Sequence, residues 1–370
     1  MAPKRPKGAG AFPKPVESPA PSRPDPSELY AALDLGTNSC RMLIAQPKGN
    51  QFHVVDSFSK SVQLGAGLEK YGRLSRSSMN RTISALRVCQ QKIRRHEVTR
   101  MRLVATEACR RAHNSRDFIR QVKRETGLTL EIIQPEEEAR LAVISCAPLV
   151  STKTDQLLVV DIGGGSTELV WIDLTAVPSF ERPRAIMRLH AGFHPKDSPF
   201  PAARVVDWIS VPLGVATLRD QFSDVESDSA RYALMSWFFE ENLAEFAPYK
   251  DEQTREGFQI VGTSGTVTTV AASHLGLKRY DRNKVDGLRM TSDQIEKVIA
   301  GYLHLGPEGR RADPRIGLDR QALIMSGAAI LQALLRCWPT DRLSVADRGL
   351  REGLLYAQMS ADGALEDGPF

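Results

Sequence analysis

Three short turns in this 370-residue chain have a composition suited to holding phosphate: GTNS at 36–39, GGGST at 163–167 and GTSGT at 262–266. Small residues leave backbone N–H groups bare, and several of them pointing inward form an anion-binding nest. A helix N-terminus at such a turn adds partial positive charge. The hydroxyls and the Asn38 amide supply further donors. The run Gly163, Gly164 and Gly165 is the most demanding feature, because glycine weakens any strand it borders. Asp34 and Asp161 stand where an apolar run enters each of the first two turns. Beside bound phosphate a carboxylate repels unless a divalent cation mediates, and Mg2+ is held by one or two carboxylates plus phosphate oxygens. The competing reading is that each aspartate caps its own turn through an Asx hydrogen bond. The residues alone leave both open.

The elements that must carry these turns are legible around them. YAALDLGTNSCRMLIAQ (30–46) and LLVVDIGGGSTELVWID (157–173) are each an apolar strand, a polar turn and a second apolar strand. That is a β-hairpin signal, used twice. Asp34 aligns with Asp161, Gly36 with Gly163, Ser39 with Ser166 and Met42 with Leu169, which predicts two similar domains, each opening on the hairpin. Between them, apolar residues at three- and four-residue spacing predict a helix over 77–98, and 115–127 reads as a helix closed by glycine. Residues 101–106 and 128–133 read as strands, and 135–146 as a helix with proline at its first position. Further on, helices are expected over 227–246, 292–305 and 320–338. Strand–turn–helix units are expected over 258–273 and 342–359. Residues 174–206, rich in proline, read as an excursion. Strands alternating with helices make the chain α/β.

Bulk composition narrows the class. With 42% apolar and 25% charged residues the chain has the make-up of a globular protein. Five scattered cysteines without a CxxC argue against a zinc site or a disulfide framework and suit a reducing cytoplasm. No apolar run reaches the roughly 18 residues of a membrane span, so neither a membrane nor, at this weak positive balance, a nucleic acid is expected as a partner. Residues 1–28 hold eight of the 22 prolines and almost no large apolar side chain, which predicts a disordered tail.

Six blocks, read together, carry a family resemblance: DLGTNS (34–39), TEACR (106–110), EEAR (137–140), DIGGGSTE (161–168), GTSGT (262–266) and GLREGLLY (349–356). In this order and spacing the chain resembles the exopolyphosphatase / guanosine pentaphosphate phosphatase (Ppx/GppA) family over about residues 30–358, in its short two-domain form. The glycine hairpins are shared across the acetate kinase–sugar kinase–actin superfamily; the EEAR and GLREGLLY blocks are far more particular. The resemblance implies two ribonuclease-H-like domains, residues 29–150 and 151–360, with a cleft between them. The last helix is expected to pack back on the first domain, ahead of a short tail over 361–370.

The implied roles fall on individual residues. Glu138, directly before Ala-Arg, matches the catalytic carboxylate, a role its place in an acidic first turn would not by itself suggest. Arg110 and Arg320 match arginines aimed at phosphate. Asn38, Ser39, Gly163, Gly164, Gly165, Ser166, Gly262 and Ser264 match the phosphate-contacting turns, and Asp161 and Glu168 the carboxylates near Mg2+. The chemistry suits a hydrolase, since a carboxylate can orient and deprotonate an attacking water and the rest is positioning and charge. The expected function is Mg2+-dependent release of terminal orthophosphate from inorganic polyphosphate, with guanosine pentaphosphate as the alternative substrate. A small-molecule kinase or a non-enzymatic nucleotide or phosphate switch on the same fold are the other classes. A homodimer is implied by family habit. Two departures stand out: Gln63 replaces an arginine common in the family, and Ser326 replaces a proline.

Overall fold

The computed structural model describes residues 28–191, 202–246 and 257–366. Residues 1–27 of the tail expected over 1–28, residues 367–370 of the one expected over 361–370, and part of the proline-rich excursion lie outside them.

The first half runs β1 (Tyr30–Leu35), β2 (Ser39–Lys48), β3 (Gln51–Ser61), α1 (Leu68–Tyr71), α2 (Arg76–Arg95), β4 (Arg100–Ala105), α3 (Glu107–Arg111), α4 (Ser115–Thr126), β5 (Glu131–Ile132) and α5 (Pro135–Cys146). Its sheet has the order β3-β2-β1-β4-β5, with β1 antiparallel to β2 and parallel to β4. The second half runs β6 (Gln156–Ile162), β7 (Thr167–Asp173), α6 (Arg182–Met187), β8 (Arg204–Val211), α7 (Val215–Gln221), α8 (Asp228–Glu241), β9 (Phe258–Thr263), α9 (Gly265–His274), α10 (Arg282–Val285), β10 (Arg289–Met290), α11 (Ser292–Ala312), α12 (Ile324–Cys337), β11 (Leu343–Ala346) and α13 (Leu350–Ala361). Read from its β8 edge the second sheet is β8-β7-β6-β9-β11-β10. Its first five strands repeat the order and directions of the first sheet as far as β11, which runs parallel to β9. The chain is α/β with two sheets of one topology, as the paired hairpins predict, and of the ribonuclease-H-like kind that the family resemblance implies.

Strand parity decides what each sheet face carries, because successive side chains alternate. In β1, Ala31, Leu33 and Leu35 pack with α2 and α4, while Tyr30 and Ala32 pack on α5 and α13. Asp34 shares the parity of Tyr30 and Ala32. In β6, Leu158, Val160 and Ile162 meet α8, α9 and α12, whereas Leu157 and Val159 meet α5. Asp161 shares their parity. Both aspartates therefore face the single helical layer between the sheets. α5 is buried on nearly every side from Glu138 to Cys146, as a helix apolar all round must be. α13 returns to pack on β1, β2 and α5. The approach is close enough that a Cβ on Gly353 would fall 2.0 Å from the Leu141 carbonyl oxygen, so the second glycine of GLREGLLY is a helix-contact residue.

Several elements differ from the sequence reading. Only Glu131 and Ile132 of 128–133 pair, against Val104 and Ala105. β3, unread in the sequence, is an edge strand whose alternate residues stay exposed. The helix expected over 227–246 ends at Glu241, and α12 begins at Ile324 rather than at 320. The Ser326 hydroxyl donates 2.6 Å to the Val215 carbonyl and 2.9 Å to that of Leu323,, which ties α12 to α7.

Candidate active site

The two hairpin turns are the same object. In the first, Gly36 N–H donates to the Ser39 carbonyl at 2.9 Å; in the second, Gly163 N–H donates to the Ser166 carbonyl at 2.9 Å. The carbonyls of Gly163 and Gly164 accept from Val215 and Ala216 at the start of α7. Among the described residues, the N–H groups of Thr37, Asn38, Gly164 and Gly165 donate to no backbone carbonyl. Donors that helix and strand do not consume need a partner elsewhere. The turns meet across the cleft: a Cβ on Gly164 would lie 3.3 Å from Asn38 N, and one on Gly165 only 2.5 Å from Thr37 Oγ1 and 2.9 Å from Glu107 Cγ. None of the three glycines has a left-handed backbone. Close approach, not conformation, requires them.

Between the turns lies a cavity of about 310 Å³. Asn38, Ser39, Gly163, Gly164, Gly165 and Ser166 line it, as do Ser264, Arg320, Glu138 and Asp161. Ser264 holds a positive φ of 139° while its side chain caps α9, accepting from Thr266 and Val267. Strained backbone of this kind collects at ligand sites.

Three expected residues stand off the cavity wall. Gly262 is inside β9, and the place of its missing Cβ faces Val267 at 3.2 Å, so it admits the start of α9 rather than a phosphate. Glu168 is buried behind the wall, accepting from Ser210 Oγ at 2.8 Å, and stands directly opposite Asp161 in the β6–β7 register. Arg110, expected on the phosphates, is off the cavity wall. Its Nη1 donates to Glu138 Oε2 at 2.7 Å and to the Ile133 carbonyl at 2.9 Å, while Nε and Nη2 donate to Glu107 Oε2. A guanidinium so occupied orients a carboxylate.

Charge in the cavity is divided. Glu138 is 9% exposed, and burial, then the charge of Glu168, push its carboxyl up to about 8 against the pull of Arg110. Burial, then Glu138 and Asp34, push Asp161 up to about 7. Burial and Asp161 do the same to Glu168, with hydrogen bonds from Ser166 and Ser210 opposing. Burial also raises Asp34, with Arg41 pulling the other way. Arg41, the cross-strand neighbour of Asp34, and Arg320 also line the cavity. Burial and the like charge of Arg41 pull Arg320 down to about 10. Neither side chain has a hydrogen-bonded or ion-paired partner among the described residues.

No cluster of three or more His, Cys, Asp and Glu among the described residues forms a ready metal cage. Mg2+ does not need one, since it takes one or two protein carboxylates and fills its shell with water and phosphate. Asp161 and Glu168, opposite one another in the β6–β7 register and both with carboxyls raised chiefly by burial, have the donor chemistry for that ion. Thr37 Oγ1, buried and without a partner, adds an unused polar atom where the two turns meet.

Sequence reasoning missed Arg41 and Glu107. The signal for Arg41 was its place seven residues after Asp34, matching Glu168 seven after Asp161; Glu107 gave none beyond standing inside TEACR.

No helix among the described residues is long and apolar enough to cross a membrane. A family model described as the Ppx/GppA phosphatase family matches residues 43–362. The crystal structure of the Aquifex aeolicus member of that family is 29% identical, covering 90% of this chain and 98% of its own, with a TM-score of 0.70. An exopolyphosphatase-like protein is 26% identical over 88% of this chain and 97% of its own, with a TM-score of 0.73. An exopolyphosphatase from Cytophaga hutchinsonii shares the fold at a TM-score of 0.74 and 20% identity, covering 92% of this chain and 100% of its own. Over nearly its whole described length, then, this chain belongs to the Ppx/GppA phosphatase family.

Proposed function

We propose that this phosphatase is an exopolyphosphatase, releasing terminal orthophosphate from inorganic polyphosphate by Mg2+-dependent hydrolysis with Glu138 as general base. The observation that carries the reading is a buried carboxylate, held by an arginine, on the wall of a cavity whose other walls are unused N–H donors and unpaired guanidinium groups. The turns and Arg41 and Arg320 bind the phosphate chain and fix its terminal phosphorus. Glu138 accepts one proton from a water whose oxygen forms the new bond to that phosphorus. The bond from phosphorus to the bridging oxygen breaks, and its electron pair stays on the shortened chain. A phosphate leaving group needs little protonation, so positioning and charge supply most of the acceleration. Mg2+, held by Asp161 and Glu168, would neutralise charge on the phosphate oxygens.

Guanosine pentaphosphate is the second reading. It is favoured by Tyr280, which is 48% exposed while its hydroxyl interacts with Asp347 and Thr268 at the cavity. That ring offers a flat surface near the mouth on which a base could stack.

The test is orthophosphate release from polyphosphate, guanosine pentaphosphate and ATP in parallel, with Mg2+, for the native chain and Glu138→Ala. Release from polyphosphate that falls by about 100-fold or more in the variant is the expected result. Release confined to the pentaphosphate would replace the substrate assignment. No release from any of them, with ATP bound, would move the chain to the kinase or switch classes.

A further inference from the structure

Glu107, like Asp34 and Asp347, is a carboxylate on the cavity wall that the proposed reaction leaves without a task. It begins α3, lines the cavity, and has a side chain only 12% exposed. A bare anion there would repel a phosphate chain. Glu107 is not bare: its Oε2 accepts from Arg110 Nε at 3.1 Å and Nη2 at 2.9 Å. Behind it, Arg111 Nε lies 3.8 Å from Oε1, and Arg111 is itself anchored on Glu69. In front, the carbon stem of Glu107 fills the space that Gly165 leaves empty. The second half of the molecule thus wedges Glu107 against the first.

We propose that Glu107 is a positioning residue that holds Arg110 on Glu138 and keeps that guanidinium away from the substrate's phosphates. The argument is one of geometry. Guanidinium is a planar fork with five N–H donors in fixed directions. In Arg110 one edge is occupied by Glu107 and Nη1 by Glu138 and the Ile133 carbonyl. Turning the fork toward the cavity must break both bonds to Glu107. With the fork locked, Glu138 keeps one direction for its free oxygen, the one a water can use. With Glu107 neutral, Arg110 carries one counter-charge less, and a polyanionic substrate competes for it.

This inference rests on Glu138 being the general base, and the experiment separates the two. Full-length chains carrying Glu107→Gln, Glu107→Asp, Arg110→Ala, Glu107→Gln with Arg110→Ala, and Glu138→Gln are assayed on polyphosphate with Mg2+, reading kcat and KM apart. For Glu107→Gln, kcat is expected to fall about 10- to 100-fold, the scale of a misplaced catalytic group. KM should fall severalfold as the released arginine reaches substrate. A merely structural role would not move the two in the same direction. The double variant should match Arg110→Ala alone, because Glu107 acts only through Arg110. Glu107→Asp, which keeps the charge one methylene back, should lie between Gln and native in kcat. Native kcat in Glu107→Gln, additive losses in the double variant, or an aspartate as slow as the glutamine would each overturn the proposal. Turnover surviving in Glu138→Gln would instead overturn the general-base reading beneath it.

Discussion

The two hairpins share strand order, turn hydrogen bond and entering aspartate, yet they carry opposite charge at one position. Asp34 faces Arg41 across the first ladder, and Asp161 faces Glu168 across the second. Each partner stands seven residues after its aspartate. An Asp–Arg pair is close to neutral and leaves guanidinium donors to spare, so the first hairpin is built to grip an anion. An Asp–Glu pair in a buried place is a doubly negative site that asks for a cation. On the proposed function, that single register position gives one repeated scaffold a half suited to the phosphate chain and a half suited to the cation, and α5 brings Glu138 to the cavity they share.

The largest way to break that division is Arg41→Gln. A hydrogen bond to a charged group contributes about 1.5–3 kcal/mol, so KM for polyphosphate should rise between about tenfold and 100-fold while kcat changes far less. Steady-state kinetics at saturating Mg2+ decide it, and an equal loss in kcat would mean that Arg41 acts on the transition state instead. Glu168→Gln addresses the other half. Here the Mg2+ concentration for half-maximal rate should rise by about tenfold or more, the usual scale for losing one partner of a metal site, with KM for substrate little altered once Mg2+ saturates. If Glu168→Gln raised KM and left the Mg2+ requirement alone, the halves would not be divided as their charges suggest.

How far this was legible in the sequence follows from what each residue answers to. The hairpins were readable because continuous apolar runs on either side of a short glycine turn report local structure. The edge strand β3 was not, since it is only half buried and its HVVDSFSK pattern satisfies no strong template. The phosphate-facing turns could be named from small residues alone, but the reason for three glycines could not. Part of it is contact with Thr37, Asn38 and Glu107, residues that only the folded chain brings to that loop. Glu138 needed the family pattern, because an acid in a helix's first turn is ordinary. The task of Arg110 needed coordinates, since TEACR does not say whether its arginine points at substrate or at Glu138 28 residues on. Gln63, which replaces an arginine common in the family, is exposed and donates its backbone N–H to the Asn38 carbonyl at 2.9 Å.

The smallest expected effect, and the one that probes both halves at once, lies in stability against pH. Asp161 and Glu168 titrate near 7 in the fold, and Glu138 near 8, whereas carboxyls in an unfolded chain titrate near 4. Between those limits the folded chain binds more protons than the unfolded one, so stability falls as pH rises. That contribution is complete below about pH 4 and is lost as pH passes through 7 to 8. In chelator, the melting temperature should therefore drop by a few degrees between pH 5.5 and 8.5, after other groups are matched by comparing variants. Glu168→Gln should flatten the drop, because it removes one raised carboxyl and relieves the pressure on Glu138. Arg41→Gln should steepen it, because Asp34 loses the guanidinium that opposes its rise. Mg2+ should restore stability at pH 8.5 in the native chain and much less in Glu168→Gln. Parallel slopes in all three proteins would mean that the charge difference between the hairpins has no energetic consequence, and the division of labour drawn from it would fall.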